Sequence, residues 1–405
     1  MRRVRAAPLL LALAVLPGAC ARSATSPPDE EQGPAPGAGR GQLARVQPPP
    51  PPCLPGTREP SAVELAARAR EELAAGRADA ALACAEEALA ADARSRDALR
   101  SRARALAELD RRDEARAATA RALAADADDP ATLAVAAEVL VGRLGGRDDL
   151  EAGRDLALRG VARLLVGPRP DRAAAARLRT VAAMAENDLG RGGEALRHAD
   201  LALRERPGDP DALYERGVAL FELCRFADAR RTFERLLRRR PDDPWALRHL
   251  GLIAERAGDD TRARSLLARA ARLAPREIGE PVDLDRPGFE AEVGRAVAEL
   301  PESDRRALDG VPVEVDEIPL LADLTAVDPP LSPSILGLFR GPPLGEPCEP
   351  GDGPTCRSIV LYRRNLARFA RDRTELAEQV RVTLLHEIGH LRGEGDEGLR
   401  NRGLE

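Results

Sequence analysis

Small apolar residues recur between residues 61 and 276 at a fixed spacing of 34 positions. In each segment a turn-like position is followed five residues later by alanine, and twelve residues later by alanine or leucine. The turn-like positions are Gly76, Asp110, Gly190, Cys224 and Gly258, and the first alanines are Ala81, Ala115, Ala195, Ala229 and Ala263. A period of this length is typical of a solenoid of stacked repeats.

The spacing between turn-like positions is broken once, between Asp110 and Gly190. The gap leaves room for one degenerate, lengthened repeat around residues 131–167, with Gly145 and Gly146 near its turn. We therefore count five clear repeats and one irregular repeat. The last three clear repeats end on prolines, at Pro207, Pro241 and Pro275.

This pattern resembles the tetratricopeptide repeat. In that family the alanines let the two helices of a hairpin approach closely, and the proline ends the second helix. Leu250 with Gly251, and Ala229 with Phe233, also match the family consensus. The resemblance implies a concave face that binds a protein or peptide.

The 34-residue period disappears after Pro275, and we expect a linker over 277–287 and a second domain over 288–405. Residues 289–300 have the pattern of an amphipathic helix. The valines of the segment 311–315 alternate, which indicates a strand with one buried face, and the segments 335–339 and 358–363 are further strand candidates. Asp372 and Glu375 have the spacing of a helix N-cap, predicting a helix that continues through Ile388.

Two of the chain's four histidines, His386 and His390, lie four residues apart on this last helix. That step places both imidazoles on one face, so that they can share a metal ion. Glu387 is rotated off this line, and we expect it to act as a general base rather than as a ligand. Gly389 is unfavourable inside a helix by about 1 kcal/mol, which suggests that something crowds that side.

Two histidines leave zinc under-coordinated, so a third ligand is needed. Gly393 can adopt a left-handed conformation that ends the helix and turns the backbone towards the metal. Asp396 follows three residues later and is the first candidate. Glu394, Glu397 and Glu405 are weaker candidates.

The full pattern, from His386 to Asp396, resembles the bacterial minimal zincin-like metallopeptidases. The likeness covers residues 288–405 and includes the segments LPESDRRAL, ILGLFRGPPL and IVLYR before the last helix. It implies that His386, His390 and Asp396 bind Zn²⁺ and that Glu387 is catalytic. The predicted fold is mostly α, a tetratricopeptide-repeat α-solenoid followed by a small α+β zincin-like domain.

The N-terminal segment has the layout of a secretory signal peptide over residues 1–20. Arginines precede a short apolar run, and small residues precede Cys20. Gly18, Ala19 and Cys20 resemble a lipobox, although Pro17 replaces the usual leucine, and the alternative is a plain cleaved signal. We expect an exported protein of the bacterial cell envelope or periplasm, with Cys20 lipidated as a membrane anchor.

Residues 21–60 contain abundant Pro, Gly and Ser and predict a disordered spacer. In an oxidising compartment Cys348 and Cys356 are expected to form a local disulfide across a turn-rich loop. Cys84 and Cys224 fall in segments interpreted as helical, where we expect buried small hydrophobic residues. Cys53 lies in the spacer and is left unassigned.

The composition narrows the function. Aromatic residues make up only 2% of the chain, which disfavours an aromatic-rich β fold, and the net charge of −5 comes from interspersed acidic and basic residues. No basic block indicates nucleic-acid binding. We expect an exported zinc metallopeptidase whose repeats recruit a protein partner or substrate. The alternative is a non-catalytic scaffold lipoprotein for envelope assembly, with a structural or degenerate zinc site.

Overall fold

The computed structural model of the protein describes residues 53, 59–166, 168–348 and 356–404. The predicted signal peptide, Cys20 and nearly all of the predicted spacer lie outside the described residues. Among the described helices, none is both long enough and apolar enough to cross a membrane. The described chain divides into two compact units, and the boundary along the sequence lies between Ala185 and Glu186.

The repeat region is a succession of helices connected by turns. The helices are α1 (Ala62–Ala74), α2 (Ala78–Ala91), α3 (Arg96–Glu108), α4 (Arg112–Ala125), α5 (Pro130–Val139), α6 (Arg147–Leu165), α7 (Arg172–Asp188), α8 (Gly192–Glu205), α9 (Pro210–Glu222), α10 (Phe226–Leu237), α11 (Pro244–Arg256) and α12 (Asp260–Leu273). Helices α5, α9 and α11 begin alike, because an aspartate caps the first turn and a proline follows it at the first helical position.

The turn-like positions are turns with a left-handed backbone. The φ angle is 72° at Gly76, 74° at Gly190 and 77° at Gly258, and it is 55° at both Asp110 and Cys224. Each of these residues follows the first helix of a pair. Because only glycine adopts this conformation at little cost, three of the five sites carry glycine.

The unit that ends at Ala185 contains the irregular repeat. A single π-helical turn, Leu140–Leu144, extends α5, and Gly145 then turns the chain with φ of 68°. The following helix α6 is 19 residues long, and this extra length accounts for the break in the 34-residue period. Leu106, Leu133 and Leu178 are buried in the core of this unit.

Cys53 and Cys84 form a disulfide in this unit. The prediction that Cys84 is only a buried small hydrophobic residue is therefore wrong, although its side chain is buried in α2. Its partner lies 31 residues away in a segment without a pattern, so the pairing had no local signal.

The unit that starts at Glu186 contains the remaining repeats and the C-terminal domain. Phe221, Phe233 and Leu236 form the centre of the repeat core, and the predicted close-contact position Ala229 is fully buried beside them. The prediction that Cys224 is a buried residue in a helix is wrong. Cys224 lies in the turn between α9 and α10 and is only half-buried. Its Sγ lies 3.8 Å from the carbonyl oxygen of Leu331.

The C-terminal domain consists of short helices around one small sheet. Its elements are α13 (Arg286–Glu299), α14 (Glu302–Ala307), β1 (Val313–Asp316), α15 (Leu321–Leu324), β2 (Gly337–Arg340), β3 (Ser358–Tyr362), α16 (Arg363–Phe369), α17 (Arg373–Leu391) and α18 (Asp396–Asn401). The strands lie in the order β1-β3-β2. β1 runs parallel to β3 in the register Val313 to Ile359, and β2 runs antiparallel to β3.

One face of this sheet packs against α13 and α17. Phe289 and Val293 of α13, Ile359 and Leu361 of β3, and Leu384 of α17 are buried together in this core. The sequence pattern does not predict α16, a short helix that follows β3 directly. The all-buried β3 is consistent with its central place, because both of its faces are covered.

The last repeat and the C-terminal domain share a network of ion pairs within this unit. The carboxylate of Glu255 in α11 accepts a hydrogen bond from Arg364 at 2.8 Å and another from Arg368. Arg256 donates to the carbonyl oxygen of Pro319 at 2.7 Å. The predicted linker 277–287 is thus not the sole connection between these parts of the chain.

Candidate metal centre

Helix α17 carries both histidines on its last turn and a half. It begins at the predicted N-cap, where the side chain of Asp372 accepts a hydrogen bond from the Glu375 amide at 2.9 Å. Leu376, Val380 and Leu384 bury one face of the helix against the sheet. The histidines lie to one side of that face, and His386 is almost fully buried.

The helix ends as the sequence predicts, at Gly393, whose φ of 84° is left-handed. The Glu394 amide donates to the Gly389 carbonyl oxygen at 2.9 Å, and the Gly393 amide donates to the His390 carbonyl oxygen at 2.9 Å. These two bonds define a Schellman turn. The turn reverses the chain, so that α18 begins at Asp396 beside the two histidines.

The three predicted ligands meet at one point. The Nε2 atoms of His386 and His390 lie 2.9 Å apart. Asp396 Oδ1 lies 3.3 Å from His390 Nε2 and 4.0 Å from His386 Nε2. In the described part of the chain, these residues form the one group of three or more His, Cys, Asp or Glu side chains whose ligand atoms cluster this closely.

Backbone carbonyls orient both imidazole rings. His386 Nδ1 lies 2.6 Å from the carbonyl oxygen of Leu404, and His390 Nδ1 lies 3.0 Å from that of Glu394. A carbonyl oxygen can only accept, so each Nδ1 carries the hydrogen and each Nε2 presents a lone pair. Such partners on the far nitrogen are the usual arrangement around metal-binding histidines.

These residues fit a zinc ion. Two facing Nε2 lone pairs do not form a hydrogen bond with each other, and the buried Asp396 Oδ1 has no hydrogen-bond partner. All three atoms would be satisfied by one cation. Tetrahedral zinc with bonds of about 2.0–2.1 Å holds its ligand atoms about 3.3 Å apart, close to the separations observed.

The two histidines differ in their titration. Burial lowers the pKa of His386, in spite of the Leu404 carbonyl. Burial also disfavours the charged form of His390, but contact with Asp396 and the nearby Glu387 outweigh it, so the pKa of His390 is raised. Metal binding requires the neutral form of both rings and therefore competes with protonation.

Glu387 lies deep beside the sheet rather than among the ligands. It is 2% exposed, and its Oε2 accepts a hydrogen bond of 2.8 Å from the Phe339 amide of β2. Burial raises the pKa of this carboxyl to about 7. Gly337 makes room for it, since a Cβ at that position would lie 3.0 Å from Glu387 Oε1.

Gly389 is explained by a contact that the sequence does not reveal. A Cβ at this position would lie 2.3 Å from Leu399 Cδ2, and Leu399 is fully buried in α18. The glycine lets α18 approach α17 closely, which brings Asp396 to the histidines. The crowding expected at Gly389 therefore comes from a side chain of the same domain.

The weaker candidates for the third ligand are not part of the group formed by the two histidines and Asp396. Glu394 offers its backbone carbonyl to His390, while its carboxylate takes two hydrogen bonds of 2.8 Å from Arg402. Glu397 is exposed, and Glu405 lies outside the described residues. The carbonyls of Glu394 and Leu404 are supporting groups that sequence reasoning missed, because any residue can supply a carbonyl.

A disulfide joins Cys348 and Cys356 in the loop that follows β2. Arg357 anchors this loop by donating to the carbonyl oxygen of Pro342 at 2.7 Å. The Leu344 amide donates to the Leu391 carbonyl at the end of α17. The first part of this loop, at Leu344, thus lies against the end of α17.

Family models match both parts of the chain. Residues 308–404 match the model of the zincin-like metallopeptidases. Residues 66–130 and 214–278 match the model of the tetratricopeptide repeat. The chain combines tetratricopeptide repeats with a zincin-like domain. The predicted family resemblance and fold class are both confirmed.

Solved structures with similar helical repeats include PilW, described as a widely conserved type IV pilus biogenesis factor. It is 19% identical with a TM-score of 0.46, over 53% of this chain and 94% of that chain. The pilF protein of Pseudomonas aeruginosa is 18% identical with a TM-score of 0.45, over 57% of this chain and 97% of that one. Comparison with curated proteins gives no match.

Proposed function

We propose that this protein is an exported, zinc-dependent metallopeptidase. One observation carries the proposal: two imidazole Nε2 atoms converge with the Oδ1 of Asp396, which has no hydrogen-bond partner. The buried Glu387 directly follows His386 in the same helix. Zincin-like domains hold a metal ion, usually zinc, and the donor set found here suits zinc better than a hard cation such as magnesium.

The chemistry divides between the metal ligands and Glu387. Zinc in such a site supplies Lewis-acid polarisation of a carbonyl group and lowers the pKa of water. Glu387 would take the proton from the attacking water and pass it to the leaving amine. A carboxylate suits both steps, because it can accept a proton and return it.

The rest of the proposal concerns where the enzyme works and what it meets. Lipidation at Cys20 would anchor the protein to a membrane of the envelope, and the segment 21–60 would hold the folded parts away from it. Tetratricopeptide repeats generally bind proteins or peptides, so the repeats would recruit a partner or substrate. The two disulfides agree with an oxidising compartment.

A non-catalytic scaffold is the second candidate, and one observation favours it. Glu387 is almost completely buried and its carboxylate binds a strand amide, so it could serve to join α17 to β2. In that case the zinc site would be structural.

The test compares Glu387→Gln with the wild type on a peptide library and on envelope proteins. We expect the variant to retain zinc and to lose cleavage by at least about 100-fold, since the general base is removed. The matched control is Glu378→Gln, an exposed position on the same helix, which should cleave like the wild type. Wild type that binds zinc and cleaves nothing would support the scaffold.

A further inference from the structure

An open groove of about 700 Å³ lies along the outer side of β1, where α13 passes the strand. This volume is within the range of ligand-binding clefts. Its apolar wall is formed by Val293, Val297, Leu308, Val311 and Val313. Val297, Leu308 and Val313 are only half-buried, so apolar surface remains accessible in the groove.

β1 is an edge strand of the described sheet. It pairs with β3 on one side, and the other edge of the sheet is β2, which binds Glu387. One main-chain group of β1 is bonded to a side chain, because the carbonyl oxygen of Val315 accepts a hydrogen bond of 2.6 Å from Arg286. An edge strand of this kind can bind a further strand through main-chain hydrogen bonds.

The groove has an acidic rim. Three carboxylates, of Glu290, Glu314 and Asp316, line it together with the guanidinium of Arg286, which pairs with Glu290 at 2.8 Å. Side chains alternate along β1. Val313 and Val315 belong to the core beside α13, whereas Glu314 and Asp316 lie on the opposite face. There they pair with Arg340 at 3.4 and 3.5 Å, but this one guanidinium is shared with Asp323, so the face keeps an excess of negative charge.

We propose that this groove docks an extended segment of a protein partner, which adds a strand to the sheet at β1. The segment would alternate apolar and basic residues. Its apolar side chains would face α13, and its basic side chains would meet Glu314 and Asp316 on the other face.

A second copy of the chain is a poorer occupant. Pairing of two β1 strands would bring the carboxylates of Glu314 and Asp316 against identical carboxylates, and like charges in cross-strand positions are destabilising. A basic partner strand places opposite charges there instead. The proposed site lies at the edge of the sheet away from Glu387, so it does not depend on the proposed peptidase activity.

The test measures binding of the blocked hexapeptide Arg-Val-Arg-Val-Arg-Val to the full chain by calorimetry. The reference peptide is the same hexapeptide with glutamate in place of arginine. We expect binding of the arginine peptide at least 10-fold tighter than that of the glutamate peptide. N-methylation of alternate backbone amides should abolish binding, because it removes the main-chain donors.

Variants locate the site. Gly294→Trp places a large side chain in the groove at a position where no atom lies within 4 Å of an added Cβ, and it should weaken binding at least 10-fold. Gly193→Trp, at an equally open helical glycine in α8, is the matched control and should bind like the wild type. The double charge reversal Glu314→Arg with Asp316→Arg should reverse the preference between the two peptides.

Three results would overturn the proposal. These are no binding of the arginine peptide, binding that Gly294→Trp leaves unchanged, and a preference that survives the charge reversal. Sedimentation of the chain alone tests whether a second copy of the chain occupies the groove. A dimer that Gly294→Trp dissociates would assign the groove to self-association instead.

Discussion

The two histidines of the proposed metal site are oriented by main-chain atoms that come from a short C-terminal segment. Glu394 orients His390 through its carbonyl, and Leu404 does the same for His386. The ion pair between Arg402 and Glu394 links the segments that carry these two carbonyls, since Arg402 lies two residues before Leu404. Arg402 is therefore a positioning residue for both histidines.

Replacement of Arg402 tests this role. We expect Arg402→Ala to weaken zinc binding about 10-fold, because groups that orient the ligands typically contribute that much to affinity. Chelator competition measures the effect. Arg381→Ala, which removes a comparably exposed pair with Glu378 on α17, should leave affinity unchanged. Equal affinities for the two variants would show that the ion pair does not position the ligands.

The sequence was sufficient for the ligands but not for their support. The proximity of His386, His390 and Asp396 could be predicted because helix geometry and the turn at Gly393 fix their relative positions locally. The contact of Leu399 with Gly389 and the bond from His386 to Leu404 depend on tertiary packing of α18. The bond from Cys53 to Cys84 likewise joins segments with no common pattern.

At the scale of elements, one acidic residue joins the start of α16 to the end of β1. Glu317, just beyond β1, accepts hydrogen bonds from Arg363 and Arg364 at the start of α16. The bond from Arg363, followed by that from Arg364, outweighs partial burial and lowers the pKa of Glu317 to about 2 from 4.5. The carboxylate therefore stabilises the fold only while it is charged.

This shift predicts an acid-dependent loss of stability. The pKa of Glu317 is lower in the folded state, so its contribution is complete above pH 4.5 and disappears as the pH falls towards 2. The melting temperature of Glu317→Gln should be below that of the wild type at pH 6, and the two should converge near pH 2. Thermal melts across this range measure the difference.

A constant difference between the two proteins across that range would contradict the assignment. Glu302→Gln, which removes an exposed pair with Arg306 in α14, is the control and should melt like the wild type at pH 6.

At the scale of the whole molecule, the last repeat and the zincin-like domain belong to one compact unit. Their contact centres on Glu255, whose buried carboxylate pairs with Arg364 and with Arg368. Helix α16 leads directly to α17. A partner bound to the last repeats would therefore lie on a segment that contacts the zincin-like domain.

Loss of Glu255 should therefore affect both parts. Glu255→Ala leaves Arg368 buried without its partner, and breaking a buried pair costs about 3 kcal/mol. We expect faster hydrogen exchange in α17 as well as in α11. Glu234→Ala, which removes an exposed pair with Arg262, should change neither. Faster exchange confined to α11 would show that the two parts are uncoupled.

The most direct test of the account is the zinc content of the purified protein and its Asp396→Ala variant. We predict one zinc ion per chain in the wild type and at least a 10-fold weaker affinity in the variant, with His390→Ala abolishing binding. A wild type that holds no zinc after exposure to the metal, or variants that bind it as tightly as the wild type, would contradict the metal centre.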